Sequence, residues 1–107
     1  MDQLKEFERI NKLLAVYGDL LTETQKRIMD YYYGYNLSLM EISEELKISR
    51  TAVLDAIKKS SAKLEHYEQV IRVIESNEKY LSLIKNIKND PTKENIEELE
   101  RMIKDGI

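Results

Sequence analysis

A chain of 107 residues with 42% apolar and 35% charged residues has the balance of one compact soluble domain, rich in residues that favour helix. Three glycines and one proline are too few to punctuate an all-β fold, and the absence of cysteine excludes a disulfide framework and a thiolate metal site. The net charge of −3 and a pI near 5.3 leave room for a basic face but weigh against one.

The N-terminus, Met1-Asp2-Gln3-Leu4-Lys5-Glu6, is polar and mixed in charge, unlike a secretory signal. No apolar run approaches the roughly 20 residues that span a bilayer. A cytoplasmic protein without membrane contact is expected.

Leu4, Phe7, Ile10, Leu13, Leu14 and Tyr17 recur in steps of three and four, which predicts an amphipathic helix over 3–17, stopped by Gly18-Asp19. Thr22-Glu23-Thr24-Gln25 is a capping box. It opens a second helix whose inner face is Leu21, Gln25, Ile28, Met29 and Tyr32. Gly34 is expected to end it at positive φ. Ser38-Leu39-Met40-Glu41 is another capping box, and the short helix behind it turns Leu39, Ile42 and Leu46 inward. A tight turn follows, with Ile48 tucked beneath it, and Ser49 caps a fourth helix.

That fourth helix runs on. Val53, Ile57, Ser60, Leu64, Tyr67, Ile71 and Ile74 alternate steps of four and three, the spacing of a helix–helix seam. The pattern reads as a helix from about 50 to 75 and another to about 88, with a weak point at Ser76-Asn77 and Tyr80, Leu81, Ile84 and Ile87 facing inward. Asp90-Pro91 marks the clearest boundary, Asp as cap and Pro at the first helical position. A last helix places Ile96, Leu99, Met102 and Ile103 inward and ends at Gly106. The expected architecture is a single all-α domain over 1–107: a helical bundle with a helix-turn-helix at about 38–65 and a C-terminal helical extension over 66–107.

The segment from Leu37 to Val53 has the chemistry of a helix-turn-helix: two caps, a turn and three agreeing apolar faces. In versions that bind DNA, the start of the second helix enters the major groove. Here that start supplies Ser49, Arg50, Thr51 and Leu54, with Asp55 beside them, while Lys58, Lys59 and Lys63 are placed to reach phosphates. Between 49 and 63 four cations stand against one carboxylate, so this helix is locally basic in an acidic protein.

Leu21 to Tyr67 resembles the YlxM family, helix-turn-helix proteins associated with the bacterial signal recognition particle, and more distantly region 4 of sigma factors. The stretches that carry the likeness are Leu20-Leu21-Thr22-Glu23-Thr24-Gln25, Tyr31-Tyr32-Tyr33, Leu37-Ser38-Leu39-Met40-Glu41-Ile42 and Ile48-Ser49-Arg50-Thr51-Ala52-Val53. The C-terminal third matches only in helical character. The resemblance implies a sigma-region-4-like fold and, because the family's gene commonly lies beside that of the particle's GTPase, an accessory or regulatory role in co-translational targeting. One position departs from the pattern. Lys47 stands at the turn where many such units have Gly or Asn, and a left-handed backbone there costs about 1 kcal/mol.

The remaining clusters read as ordinary structure. Tyr31, Tyr32, Tyr33 and Tyr35 could stack on unpaired RNA bases, but core packing by Tyr32 and Tyr35, with the others half-buried, accounts for them more simply. His66 has Ala62, Lys63, Gln69 and Val70 at helical neighbour positions, none of them a metal ligand or base. Glu94, Glu97, Glu98 and Glu100 fit a solvated face near a helix N-terminus. Tyr67, Val70, Ile71, Val73 and Ile74 make a wide stripe that can pack onto the first helix within one chain or pair with a second copy.

No catalytic residue, cofactor, metal ligand or small-molecule site is expected. The expected partners are DNA or signal recognition particle RNA, the particle's GTPase and a second copy of the chain. A protein–protein adaptor with the helix-turn-helix as scaffold, or a stand-alone DNA-binding transcriptional regulator, are the alternatives.

Overall fold

The computed structural model describes residues 2–105, and among them it holds six α-helices and no strand. They are α1 (Asp2–Tyr17), α2 (Glu23–Met29), α3 (Leu39–Leu46), α4 (Arg50–Ile71), α5 (Val73–Asn89) and α6 (Lys93–Asp105). The chain is all-α, as the composition requires. It divides between Ile71 and Arg72 into two compact units.

In the first unit α4 packs against α1, α2 and α3. Leu13, Ile28, Met29, Ile42, Val53 and Leu64 are sealed from solvent, and burial of each such side chain contributes about 1.5–3 kcal/mol. Both expected capping boxes form. Thr22 Oγ1 accepts from the amide of Gln25 while Gln25 Oε1 accepts from that of Thr22, and Ser38 and Glu41 repeat the exchange at 3.0 and 2.9 Å. Leu4, expected inward, is 63% exposed in the first turn of α1.

Between α2 and α3 the helix widens into a π turn, Asp30–Gly34, closed by the amide of Tyr35 on the carbonyl of Asp30. The wider turn advances each residue less than an α-helix does. It therefore brings Tyr33, not Tyr32, into line behind Ile28 and Met29. Tyr33 is the buried member of the run, Tyr31 and Tyr32 are half-buried, and Tyr35, expected in the core, is exposed. The Tyr33 ring meets Phe7 at 4.8 Å and Tyr32 at 4.9 Å between centroids, and burial pushes its phenol above the usual value. The left-handed residue after this turn is Asn36 (φ 56°) rather than Gly34. Asn is one of the few side chains that tolerate that conformation.

The seam along α4 holds through Val53, Ile57, Ser60 and Leu64 and then changes. The next buried position is Glu68, whereas Ile71 is 49% exposed. Ile71 lies five full turns from the buried Val53, on the same face, and is exposed as the last residue of α4. The expected weak point also moves. The helix breaks at Arg72 (φ 59°, ψ 34°), ahead of Ser76-Asn77, and α5 begins at Val73. The break falls inside Val70-Ile71-Arg72-Val73-Ile74, four β-branched residues with poor helix propensity.

In the second unit α5 and α6 form a hairpin, and the phenolic hydroxyl of Tyr80 donates to the carbonyl of Met102. Ile74 and Leu83 are the buried side chains of α5, Tyr80 and Ile87 are half-buried, and Leu81 and Ile84, expected inward, are exposed. On α6, Leu99 and Met102 are half-buried as expected, but Ile96 and Ile103 are exposed. Thr92 caps α6, accepting from the amide of Asn95 at 3.2 Å, so Asp90 is not the cap and Pro91 precedes the helix. The amide side chain of Asn95 donates instead to the carbonyl of Asp90. The expected stop at Gly106 lies outside the described residues. No described helix is long and apolar enough to cross a membrane.

Candidate nucleic-acid interface

The helix-turn-helix forms from α3 and the start of α4, joined through Lys47-Ile48-Ser49. Lys47 adopts the left-handed conformation (φ 57°, ψ 45°), and the amide of Ile48 donates to the carbonyl of Ser43 at 3.1 Å. The turn thus satisfies a helix-end carbonyl as a C-cap must. Ile48, expected beneath the turn, is 37% exposed. The Ser49 hydroxyl oxygen accepts from the amide of Ala52 at 3.0 Å. Ser49 is therefore engaged as a cap, and its remaining polarity toward a ligand is its O–H.

Arg50, Thr51, Leu54, Lys58, Lys59 and Lys63 are all exposed, but they do not form one patch. At 3.6 residues per turn, Arg50, Leu54 and Lys58 run along one flank of α4 with Thr51 beside them. Lys59 and Lys63 lie on the other flank. Asp55 sits on the crest between and pairs with Lys59 at 3.0 Å. The Lys63 ammonium donates to Gln25 Oε1 at 3.3 Å, which turns it toward the start of α2. Arg50 and Lys58 make no ion pair among the described residues. The cations left to meet a ligand along one line are therefore Arg50 and Lys58, with Leu54 between them.

The acidic neighbours of this motif were not singled out from the sequence, although Glu41, Glu44 and Glu45 recur at helical spacing. All three are exposed on α3 and, with Tyr31 and Leu37, line a shallow concavity of about 430 Å³. Hydrogen bonds from Ser38, through both its backbone amide and its side chain, hold the Glu41 carboxyl below its usual range. The outer face of α3 is thus anionic, and the cationic flank of α4 is short.

His66 is exposed on α4. Glu97 and Glu100 pair with Lys93 and Lys104, one turn away on the same helix. No group of three His, Asp or Glu side chains among the described residues is arranged to hold a metal.

Comparison with known proteins gives the same motif a family. Residues 4–104 match the family described as "Putative helix-turn-helix protein, YlxM / p13 like". A UPF0122 protein of Shouchella clausii is 45% identical over 80 residues, covering 75% of this chain and 73% of the relative. Its counterpart in Clostridium kluyveri is 36% identical over 97% of this chain and 100% of its own length. One from Oceanobacillus iheyensis is 37% identical, covering 95% and 97%. The match is to a helix-turn-helix family, not to a family of enzymes. With the two capping boxes, the left-handed turn at Lys47 and a match over nearly the whole chain, the protein belongs to the YlxM / p13-like family of helix-turn-helix proteins.

Proposed function

We propose that this chain is a non-enzymatic accessory or regulatory protein that binds nucleic acid through the start of α4 and acts in the signal recognition particle pathway. The observation that carries the reading is the exposed flank Arg50–Leu54–Lys58, whose two cations have no carboxylate partner among the described residues. It opens at the Ser49 cap, beside Thr51, where helix-turn-helix proteins present side chains to a groove. Lys59 and Lys63 extend the contact toward phosphates, more weakly because Asp55 and Gln25 hold them. The neighbourhood of the family's gene supports the particle, its RNA or its GTPase, as the setting. A homodimer in the cytoplasm would present two such flanks to successive half-sites.

A second reading has its own observation. The exposed carboxylates of Glu41, Glu44 and Glu45 repel phosphate and favour a protein partner, with the helix-turn-helix as scaffold.

Fluorescence anisotropy with duplex DNA and with signal recognition particle RNA, at about 50 and 200 mM salt, separates the readings, because phosphate contacts lose affinity steeply over that range. The proposal expects salt-steep binding to one of the two, weakened by about 1–3 kcal/mol in Arg50→Ala. Binding to duplex DNA alone would identify a transcriptional regulator. No binding at low salt would leave the adaptor, with the particle's GTPase the first partner to test.

A further inference from the structure

On α2, α4, α5 and α6, exposed carboxylates have a cation on the next turn: Glu23 pairs with Arg27, Asp55 with Lys59, Glu75 with Lys79 and Glu100 with Lys104. Helix α3 has no such pairs. Its sequence, Leu39-Met40-Glu41-Ile42-Ser43-Glu44-Glu45-Leu46, holds three exposed carboxylates and no Lys or Arg. Lys47 behind them makes no ion pair among the described residues. Glu41 stands three residues from Glu44 and four from Glu45, spacings at which like charges repel across a helical turn. Glu44 and Glu45 also lie in the last turn of α3, where the macrodipole disfavours anions. Glu41 has its place in the capping box. The fold gains nothing from the other two.

These three carboxylates stand around one side of the concavity of about 430 Å³, and Tyr31 and Leu37, both half-buried, form its other wall. The Tyr31 ring meets that of exposed Tyr35 at 6.5 Å, and its hydroxyl makes no hydrogen bond among the described residues. An aromatic ring beside unpaired carboxylates suits a guanidinium. The cation's plane stacks on the ring, and its fork of N–H groups donates to the carboxylate oxygens. Lysine has neither plane nor fork. Leu37 gives the methylene stem of an arginine an apolar surface to lie on.

We propose that this concavity docks an arginine carried on a basic segment of a partner protein. The proposal develops the adaptor reading above and does not depend on contact between α4 and nucleic acid. Charge sets the class of occupant. Unpaired carboxylates repel phosphate, which turns away a nucleic acid or an anionic membrane. No group among the described residues is arranged for a metal. A second copy would offer the flank of Arg50 and Lys58, a head-to-tail contact that leaves both ends open to further copies.

The test is anisotropy of two fluorescein-labelled, alanine-rich peptides at low salt, one with arginines along a helical face and one with lysines in their place. The wild type should bind the arginine peptide roughly two- to fivefold tighter, the scale of a stacked guanidinium at an exposed site. Glu44→Gln combined with Glu45→Gln should weaken it roughly three- to tenfold, the scale of two exposed ion pairs. Glu97→Gln combined with Glu100→Gln, the same change of charge on α6, should have no effect. Tyr31→Leu should erase the preference for arginine, and Tyr31→Phe should keep it. If circular dichroism shows that Tyr31→Leu loses helix, the two carboxylate variants and Tyr31→Phe decide. Absent binding, equal affinity for both peptides, or equal losses from the α3 and α6 variants overturn the site. Self-association of the wild type that the Glu44 and Glu45 variant abolishes would put a second copy in the groove and overturn the partner. A protein partner that this variant binds as tightly as the wild type does would leave the adaptor standing and overturn this groove alone. Arg50→Ala should leave the peptide affinity as it was, so the nucleic-acid reading stands or falls separately.

Discussion

The hydroxyl of Tyr17 donates to Oε1 of Glu68 at 2.6 Å, with both side chains buried. The bond ties the end of α1 to the last turns of α4. Tyr17→Phe keeps the ring and its 6.1 Å contact with Tyr67 but removes the donor. A buried acceptor that loses a partner costs about 1–3 kcal/mol, so the urea midpoint should fall by that equivalent with an unchanged slope. An unchanged midpoint would show that the bond contributes nothing.

Ser60 is fully buried on α4, and its hydroxyl has no hydrogen-bond partner. Burial of an unsatisfied hydroxyl opposes folding. Ser60→Ala removes it with almost no change in volume and gains helix propensity. Thermal unfolding should show a gain of about 1 kcal/mol, and a loss of stability would mean the hydroxyl is bonded after all.

Lys47 carries a left-handed backbone with a β-carbon attached. Lys47→Gly relieves that strain, offset in part by the greater freedom of glycine in the unfolded chain. The expected net gain is about 1 kcal/mol, read from the denaturation midpoint. A less stable glycine variant would contradict the account of the turn.

Glu41 is the acidic half of the second capping box, and its carboxyl is held below the ordinary 4.5 by hydrogen bonds from Ser38, the backbone amide first and the side chain second. A depressed carboxyl stabilises the fold above its unfolded value, and that contribution disappears as the pH falls through the lower folded value. Glu41→Gln can still accept from Ser38 but does not titrate. The stability difference between the two proteins should therefore be constant near neutrality and shrink below about pH 4.5. A difference that persists unchanged into acid would remove Glu41 from the acid response.

What was legible in the sequence is what neighbouring residues encode among themselves. Thr22 with Gln25, Ser38 with Glu41, and Ser49 as cap need no distant partner, and each lies where its spacing put it. The helix-turn-helix followed from these, while the family was legible only as a resemblance and is shown by the match over residues 4–104. Features set beyond local spacing were not legible. A widened turn made Tyr33 the core residue, and the seam along α4 ends with Glu68 buried and Ile71 exposed. The break at Arg72 has no Gly or Pro to announce it. On α5, Leu81 and Leu83 lie on nearly opposite sides of the helix, and only contact with α6 selects Leu83. At the candidate site the cations were legible as charges, but not as two flanks, because that division depends on Asp55, Gln25 and the direction of each side chain.

The π turn also sets unequal freedom to vary along one short run of the chain. Residue 33 has its ring against Phe7, whereas Tyr35 has its side chain 74% in solvent, with only the Tyr31 ring nearby at 6.5 Å. Genetic drift can alter the outer tyrosines one at a time without disturbing the core. Loss of a single codon between 30 and 34 is different in kind, because closing the turn to an ordinary helical repeat would rotate position 33 out of the interior. Across descendants of this sequence, substitutions should gather at 31 and 35, and single-residue deletions in this stretch should be rare unless residue 7 changes with them.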